Sequence, residues 1–235
     1  MRESKESTKT KNEWMESRKI MEYISFSDLI LIGRGANGAV YKYTKPLIPY
    51  GLSAVVKISG MRSPKYALQN YDRVKHAGLM HLAFMEECCV DGKPALLMED
   101  LFSDEMVYVS PNSVRNGYMD NQPEAYLLQN KLYDIPNMES VLMQMRDIAQ
   151  CTNGNGIGLD MDMISFGVQR GNKNSEVSYK LVDIDVMLHD DYSRGKLYVN
   201  NVAEAKYAIT LFVKYFVAAD DVKQKLFQQI KDFPW

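Results

Sequence analysis

The alternation of apolar and polar positions predicts a β-rich first hundred residues. Short, largely apolar segments lie at positions 27–33, 39–43, 54–60, 82–90 and 94–102, and those at 39–43 and 54–60 are rich in β-branched or aromatic residues. Their length and composition are typical of strands. Residues 65–78 instead have apolar side chains at helical spacing, and Ser63 and Pro64 precede them as a helix start. The sequence therefore predicts the order β-β-β-α-β-β.

The pattern changes near residue 100, and the second half is predicted to be mainly helical. Residues 103–122 are rich in turn-forming residues and are predicted to be an irregular connection. Beyond them the pattern predicts helices at 123–135 and 137–152, short strands within 156–171 and 177–188, and a final helical region at 202–233. The predicted domain organisation is a flexible polar tail (1–19), a β-rich lobe (20–101) and a mainly helical lobe (102–235).

Composition and charge exclude several classes of function. A chain of 235 residues is long enough for one sizeable domain or two small lobes, and its net charge of −2 argues against a general nucleic-acid-binding surface. Cys88, Cys89 and Cys151 have neither disulfide-framework nor metal-ligand spacing, and the three histidines form no helical zinc pair. We expect reduced thiols in a cytoplasmic protein.

The two ends of the chain give no sign of export or membrane insertion. The first 19 residues are charged and rich in Ser and Thr, without the apolar segment of a secretory signal. The longest apolar run, residues 207–219, includes Lys214 and is too short to span a bilayer. We therefore predict no membrane span, and a buried helix at 207–219.

Three glycines near the start of the chain have the spacing G-x-G-x-x-G. They are Gly33, Gly35 and Gly38. In dinucleotide-binding folds such glycines open a helix, whereas in kinases they lie in a β-hairpin over the phosphates. Residues 39–43 alternate with period two, so the sequence predicts a hairpin. An ordinary glycine-rich turn remains open on this segment alone.

The third predicted strand contains one charged residue, Lys57, among apolar neighbours. A lone lysine in a strand most often extends to solvent. A lysine that binds phosphate is the other interpretation, and the strand by itself does not decide between them.

Together, the glycine hairpin and the lysine strand resemble the small lobe of protein kinases and kinase-like phosphotransferases. Gly33, Gly35, Gly38 and Val40 match the kinase pattern G-x-G-x-x-G-x-V, and residues 54–58 ("AVVKI") resemble the strand motif V-A-I-K with Lys57 as its lysine. The resemblance covers residues 28–188. It implies an α+β, two-lobed protein kinase-like fold, with an antiparallel β-sheet N-lobe containing one helix and a reduced, mainly helical C-lobe.

Further motifs follow in the order that the resemblance implies. The segment "LLMEDL" is similar to the kinase hinge, with Met98 at the gatekeeper position and residues 99–101 beside the adenine. The segment "YKLVDID" is similar to the metal-binding motif, with Asp183 as its aspartate and Asp185 where a glycine is usual. The resemblance places Asp160 as the catalytic base, with Asp162 as the alternative, and Ser165 where the family has a metal-binding asparagine.

The resemblance implies ATP and Mg²⁺ as cofactors and a role for each motif. Its nucleotide-binding residues would be the hairpin positions, the strand lysine and the hinge: Gly33, Gly35, Asn37, Gly38, Val40, Lys57, Met98, Glu99 and Leu101. Lys57 would contact the α- and β-phosphates, and Asp160 would orient the acceptor hydroxyl and take its proton. Asp183 would bind Mg²⁺, and Ser165 would supply at most a weak second contact.

The sequence departs from the family at two points. Kinases pair the strand lysine with a glutamate on the following helix, but residues 65–78 contain no glutamate; Asp72 is their only acid, and Gln69 and Asn70 are polar substitutes. Few residues follow Asp183, which implies a reduced second lobe. This resembles the minimal, atypical kinases that some bacterial pathogens deliver into host cells, and an effector of that kind would act in the host cytosol.

Three functions remain open at this point. The leading expectation is an ATP-dependent kinase acting on a Ser, Thr or Tyr hydroxyl of a protein. The second is a small-molecule phosphotransferase of the aminoglycoside or choline kinase type, whose cationic acceptor would suit Asp190 and Asp191. The third is a nucleotide-binding pseudokinase. Retention of Lys57, Asp160 and Asp183 together favours activity.

Overall fold

The structure is a computed structural model of the whole chain. It describes residues 24–35, 38–45, 53–59, 63–118, 121–182 and 200–235. These residues form two compact units. The first contains the described residues up to Leu68 together with Phe84–Asp100, and the second contains Gln69–Ala83 together with the described residues from Leu101 to Trp235.

The first unit contains a five-stranded antiparallel sheet. Its strands are β1 (Leu29–Gly35), β2 (Gly38–Tyr43), β3 (Ala54–Ser59), β4 (Met85–Val90) and β5 (Lys93–Glu99), in the spatial order β1-β2-β3-β5-β4. Helix α1 (Pro64–His76) follows β3 and crosses the boundary between the units. Ser63 Oγ accepts a hydrogen bond from the Lys65 N–H at 3.3 Å, as expected of a helix start. The predicted order β-β-β-α-β-β is confirmed.

The two faces of this sheet differ in what they bury. One face forms an apolar core to which β3 contributes Ala54 and Val56, with the further residues Ile24, Tyr43, Cys88, Val90, Ala95 and Leu97. Because side chains alternate along a strand, Val55 and Lys57 lie on the opposite face. Strand β3 is almost uniformly apolar in sequence, and it therefore contributes side chains to both faces of the sheet.

The second unit contains a smaller sheet and most of the helices. Strands β6 (Met106–Val109), β7 (Ile164–Gln169) and β8 (Val177–Leu181) form an antiparallel sheet in that order. The helices are α2 (Pro111–Arg115), α3 (Gln122–Gln129), α4 (Met138–Gly154), α5 (Asn201–Phe216) and α6 (Asp220–Asp232). A large apolar cluster joins the sheet to α4 and α5, and the rings of Phe166 and Phe212 lie 4.8 Å apart within it.

The prediction of an irregular connection at residues 103–122 is wrong in part. The segment contains the strand β6 and the short helix α2. Strand β6 is too short to give a clear pattern, and it pairs with β7, which lies far along the chain. The helix predicted at 123–135 is also too long, because α3 ends at Gln129.

The predicted fold class is confirmed. An antiparallel sheet with one helix is followed by a mainly helical part, which makes the chain α+β. This is the order of elements that the resemblance implies. In the described ranges, no helix is both long enough and apolar enough to cross a bilayer.

Candidate functional site

The glycine segment forms the hairpin that the sequence predicts. Strands β1 and β2 pair from Leu29 and Tyr43 up to Gly35 and Gly38, which lie opposite each other next to the turn. Gly38 has φ +144°, and a Cβ atom at this position would lie 2.3 Å from the Ile58 carbonyl oxygen. A side chain therefore cannot be accommodated where β2 passes β3. Asn37 lies outside the described residues.

Lys57 lies next to this hairpin in the sheet. Its Cα pairs with Val40 on β2 and with Leu96 on β5, so the side chains of these three residues share one face. Lys57 is only 8% exposed. The interpretation of Lys57 as a solvent-exposed strand lysine is therefore wrong. A buried ammonium group interacts strongly with anionic groups.

The Lys57 face continues towards the predicted hinge. Val55 lies two residues before Lys57 and pairs with Met98, so Met98 shares the face with Val40, Val55 and Lys57. Of the residues on this surface, we call Val40, Val55, Lys57 and Met98 the lysine face of the sheet. It places the predicted gatekeeper on the same surface as the predicted phosphate-binding lysine.

The predicted hinge residues Glu99 and Asp100 have several hydrogen-bond partners within the first unit. The Glu99 N–H donates to the Phe84 carbonyl at 3.1 Å, and the Phe84 N–H donates to the Glu99 carboxylate at 3.4 Å. Asp100 accepts from the Ser53 hydroxyl at 2.7 Å and forms an ion pair with Lys42 at 3.3 Å. A nucleotide would therefore have to use other main-chain atoms of this segment. Leu101 belongs to the second unit.

In the second unit, Asp160 precedes a short 3₁₀ helix, Met161–Met163, that leads into β7. The Asp160 carboxylate caps this helix by accepting from the Asp162 N–H at 3.0 Å. The Asp162 carboxylate accepts instead from the Asn112 side-chain amide, at 2.5 Å. Both aspartates are half-buried. The two candidate bases thus lie on one turn, with different partners.

Asn201 is a buried residue that the sequence did not indicate. Its carbonyl oxygen accepts from the Leu159 N–H, and its amide donates to the Thr152 hydroxyl and the Ile157 carbonyl, each at 2.8 Å. Asn201 is 1% exposed. These contacts fix the backbone immediately before Asp160. In sequence Asn201 looks like one more cap residue at the start of α5, because its partners lie more than 40 positions away.

Glu204 on α5 is a second residue that the sequence did not indicate. Burial raises the pKa of its carboxyl group, and the negative charge of Asp160 raises it further. The Met161 N–H and the Arg115 guanidinium oppose this shift. A third carboxyl group therefore lies close to Asp160.

The described residues do not form a metal site by themselves. Ser165 is 3% exposed on β7, and its cross-strand neighbour on β8 is Lys180. The Lys180 ammonium lies over the Tyr108 ring, 5.0 Å from its centroid. Within the described ranges, no group of three or more His, Cys, Asp or Glu side chains is positioned to bind a metal ion. Asp183, Asp190 and Asp191 lie outside the described residues.

The polar candidates on α1 differ in burial. Gln69 and Asp72 are exposed, whereas Asn70 is 4% exposed. The side-chain nitrogen of Asn70 has no hydrogen-bond partner in the described part of the chain. Such a buried unpaired donor is uncommon in proteins. Of the two polar residues on α1 that could take the place of the kinase glutamate, Gln69 and Asn70, only Asn70 has a buried side chain.

Comparison with known proteins gives a distant structural likeness. A solved structure of a Helicobacter pylori proinflammatory kinase, CtkA, is 11% identical, with 89% of this chain and 93% of that chain covered and a TM-score of 0.49. No protein-family model and no curated protein matches the sequence. At this identity and score, function has to be inferred from this chain's own residues.

The helix α2, which carries Asn112, is connected to a buried carboxyl group on α3. The Ser110 N–H, just before α2, donates to the Glu124 carboxylate at 2.9 Å, and Glu124 is 5% exposed. Burial raises the pKa of Glu124 to about 7, although hydrogen bonds from Ser110 and from the Asn121 side chain oppose the shift. This carboxyl group therefore titrates near neutral pH.

We expect Glu124 to make stability depend on pH. Between its ordinary pKa of 4.5 and about 7, the folded protein retains the proton that the unfolded chain has released. Its contribution to stability is thus fully present below pH 4.5 and is lost as the pH rises towards 7. The free energy of unfolding, relative to that of Glu124→Gln, should fall by about 1 kcal/mol per pH unit in this window. Parallel pH profiles of the two proteins in urea unfolding would contradict the assignment.

Proposed function

We propose that this chain is an ATP-dependent phosphotransferase of the kinase-like type, acting on a protein hydroxyl group. The observation that carries the proposal is the lysine face of the first unit. There the glycine hairpin ends at Gly38, and buried Lys57 lies opposite Val40, two positions further along β2. A glycine turn beside a buried lysine offers main-chain N–H groups and a positive charge to a polyphosphate.

In the proposed reaction the first unit binds the nucleotide. The N–H groups of the glycine hairpin contact the β- and γ-phosphates, since Gly33, Gly35 and Gly38 have no side chain to keep the phosphates away. Lys57 neutralises the α- and β-phosphates. Val40, Val55 and Met98 supply the apolar part of the face, on which adenine would pack.

The second unit supplies the acceptor chemistry. Asp160 orients the acceptor hydroxyl and receives its proton as the acceptor oxygen bonds to the γ-phosphorus, while the bond from that phosphorus to the β-phosphate oxygen breaks and ADP leaves. Mg²⁺ would neutralise charge on the phosphates, and Asp183 would be its principal ligand, as the resemblance implies. The Ser165 hydroxyl would have a minor role at most, because serine has a shorter reach than the asparagine that the resemblance implies at this position.

The burial of helices α5 and α6 in the core favours a protein acceptor over a small molecule. The apolar side chains of α5 and α6, among them Phe212, Phe216, Leu226 and Ile230, are buried in the core of the second unit. Small-molecule kinases build an enclosed acceptor pocket from several walls. Helices that complete the core are not available for that purpose, so an open site for a polypeptide is the better fit.

ATP turnover tests the proposed activity. We expect the wild-type chain to release or transfer the γ-phosphate of ATP in a Mg²⁺-dependent manner, and Asp183→Ala to lower the rate about 1000-fold or more, because it removes the metal's charged ligand. Ser165→Ala is the comparison variant and should cost far less. Absence of turnover in the wild-type chain, or equal losses in both variants, would contradict the proposed site.

A labelling experiment then tests the acceptor. The wild-type chain is incubated with γ-labelled ATP, Mg²⁺ and a cell lysate, with Asp183→Ala as the control for lysate kinases. Label on protein bands, or on the chain itself, supports a protein kinase. Label only in low-molecular-weight products would favour the small-molecule phosphotransferase and leave the nucleotide site intact.

A further inference from the structure

Helix α2 contacts the turn that carries both candidate bases. The Asn112 amide donates to the Asp162 carboxylate at 2.5 Å, and the Arg115 guanidinium lies 3.9 Å from the Met161 sulfur. Asn112 is 6% exposed. A hydrogen bond to a carboxylate is among the stronger ones in proteins, and burial strengthens it further. Asn112 therefore restrains Asp162 from outside the turn.

The restraint passes from Asp162 to Asp160. The Asp162 N–H donates to the Asp160 carboxylate at 3.0 Å. The hydrogen bonds therefore run in series, from the Asn112 amide to the Asp162 carboxylate and from the Asp162 N–H to the Asp160 carboxylate. On the other side, Asn201 fixes the Leu159 N–H at 2.8 Å. The orientation of Asp160 thus depends on contacts at both of its neighbours in sequence.

Asn112 makes this contact at a cost to stability. Its side-chain oxygen is buried and has no hydrogen-bond partner in the described ranges. A buried carbonyl without a partner costs about 1–3 kcal/mol, so an apolar residue would serve stability better at this position. Retained costs of this kind are found at functional sites. The Asn112 side chain that has the unpaired oxygen is also the one whose nitrogen donates to Asp162.

We propose that Asn112 is a positioning residue, which fixes Asp162 and thereby orients the Asp160 carboxylate as the catalytic base. Asp162 is then a link in the support and not the base. This inference rests on the proposed function, and it decides between the two bases that the sequence left open. It also gives a role to α2, a helix that lies in a segment predicted to be irregular.

The test exchanges the donor and the acceptor of the bond between positions 112 and 162. The variants are Asn112→Ala, Asn112→Asp, Asp162→Asn and the double variant Asn112→Asp/Asp162→Asn. In the double variant the new amide at position 162 can donate to the new carboxylate at position 112. Asn116→Ala, at the exposed end of α2, is the matched control. Turnover is measured as the transfer of phosphate from labelled MgATP to the acceptor that the lysate experiment identifies. If no acceptor is identified, the release of phosphate to water is measured instead.

We expect Asn112→Ala to lower kcat about 10- to 100-fold, with KM for ATP changed by less than about 3-fold, because only the base is misplaced. Asn112→Asp should lose at least as much, since two carboxylates would face each other. The double variant should return to within about 5-fold of the wild-type kcat. Asn116→Ala should be unchanged.

Several outcomes would overturn the inference. An inactive double variant would show that Asp162 itself is needed as the base. An unchanged kcat for Asn112→Ala, or a loss explained by the unfolded fraction in thermal melts, would show that Asn112 is only structural. A wild-type chain without ATP turnover would refute the proposed function, and the inference with it. If the wild-type chain turns over ATP but the double variant does not recover activity, the inference about Asn112 is refuted and the proposed function is not.

Discussion

Lys57→Met is expected to lower kcat/KM for ATP about 100- to 1000-fold, while the protein remains folded. Methionine keeps the length and apolar stem of the side chain, so the buried position stays filled. The change removes one preorganised positive charge from a site that is 8% exposed, where electrostatic interactions are stronger than in water. Steady-state kinetics and binding of labelled ATP measure the effect.

Lys93→Met is the matched control for this prediction. Lys93 is also a strand lysine, at the start of β5, but it is exposed and lies opposite Val90 at the far end of the β4–β5 hairpin. We expect its ATP kinetics to be those of the wild-type chain. If both lysine variants retained full ATP affinity and turnover, the phosphate-binding role of the lysine face would be wrong.

Asp160→Asn is expected to lower kcat about 1000-fold, with little change in ATP affinity. Asparagine can still accept from the Asp162 N–H through its carbonyl oxygen, so the cap of the 3₁₀ helix is preserved. It cannot take a proton from an acceptor hydroxyl, and general-base catalysis contributes about 100- to 10,000-fold. Single-turnover transfer from labelled ATP separates this chemical step from nucleotide binding.

Asp104→Asn serves as the control for loss of a carboxylate in the same unit. The Asp104 side chain is fully exposed and lies beside Arg170 at 3.8 Å. A surface ion pair of this kind contributes little, so transfer should be unchanged. A chain that keeps its transfer rate without the Asp160 carboxylate would have another base, or none.

Much of the first unit follows from local pattern. Period-two alternation predicts β2, short apolar segments predict the other strands of its sheet, and the helical spacing between the third and fourth strands predicts α1. The glycine spacing with the strand after it predicts the hairpin, and the structure adds why Gly38 has no side chain: the space is occupied by the Ile58 carbonyl. These features involve neighbours in sequence or in an adjacent hairpin, so a short window of residues is sufficient to predict them.

The supports around Asp160 could not be predicted in this way. Asn112, Asn201 and Glu204 lie far from Asp160 in sequence, and each is an ordinary polar residue near a helix start. Their hydrogen bonds and charge effects appear only when α2, α5 and the turn after residue 160 come together. No local period encodes such contacts, because they depend on which helices pack against which loop.

Lys57 combines a feature that the local sequence predicts with one that depends on tertiary structure. The sequence by itself determined that Lys57 lies in a strand, and the resemblance suggested a phosphate-binding role. Only the tertiary structure decided that its side chain is withdrawn from solvent, because burial depends on strands β2 and β5 on either side of β3. Local propensity sets the conformation of a segment, whereas the long-range pairing of segments sets the environment in which a side chain acts.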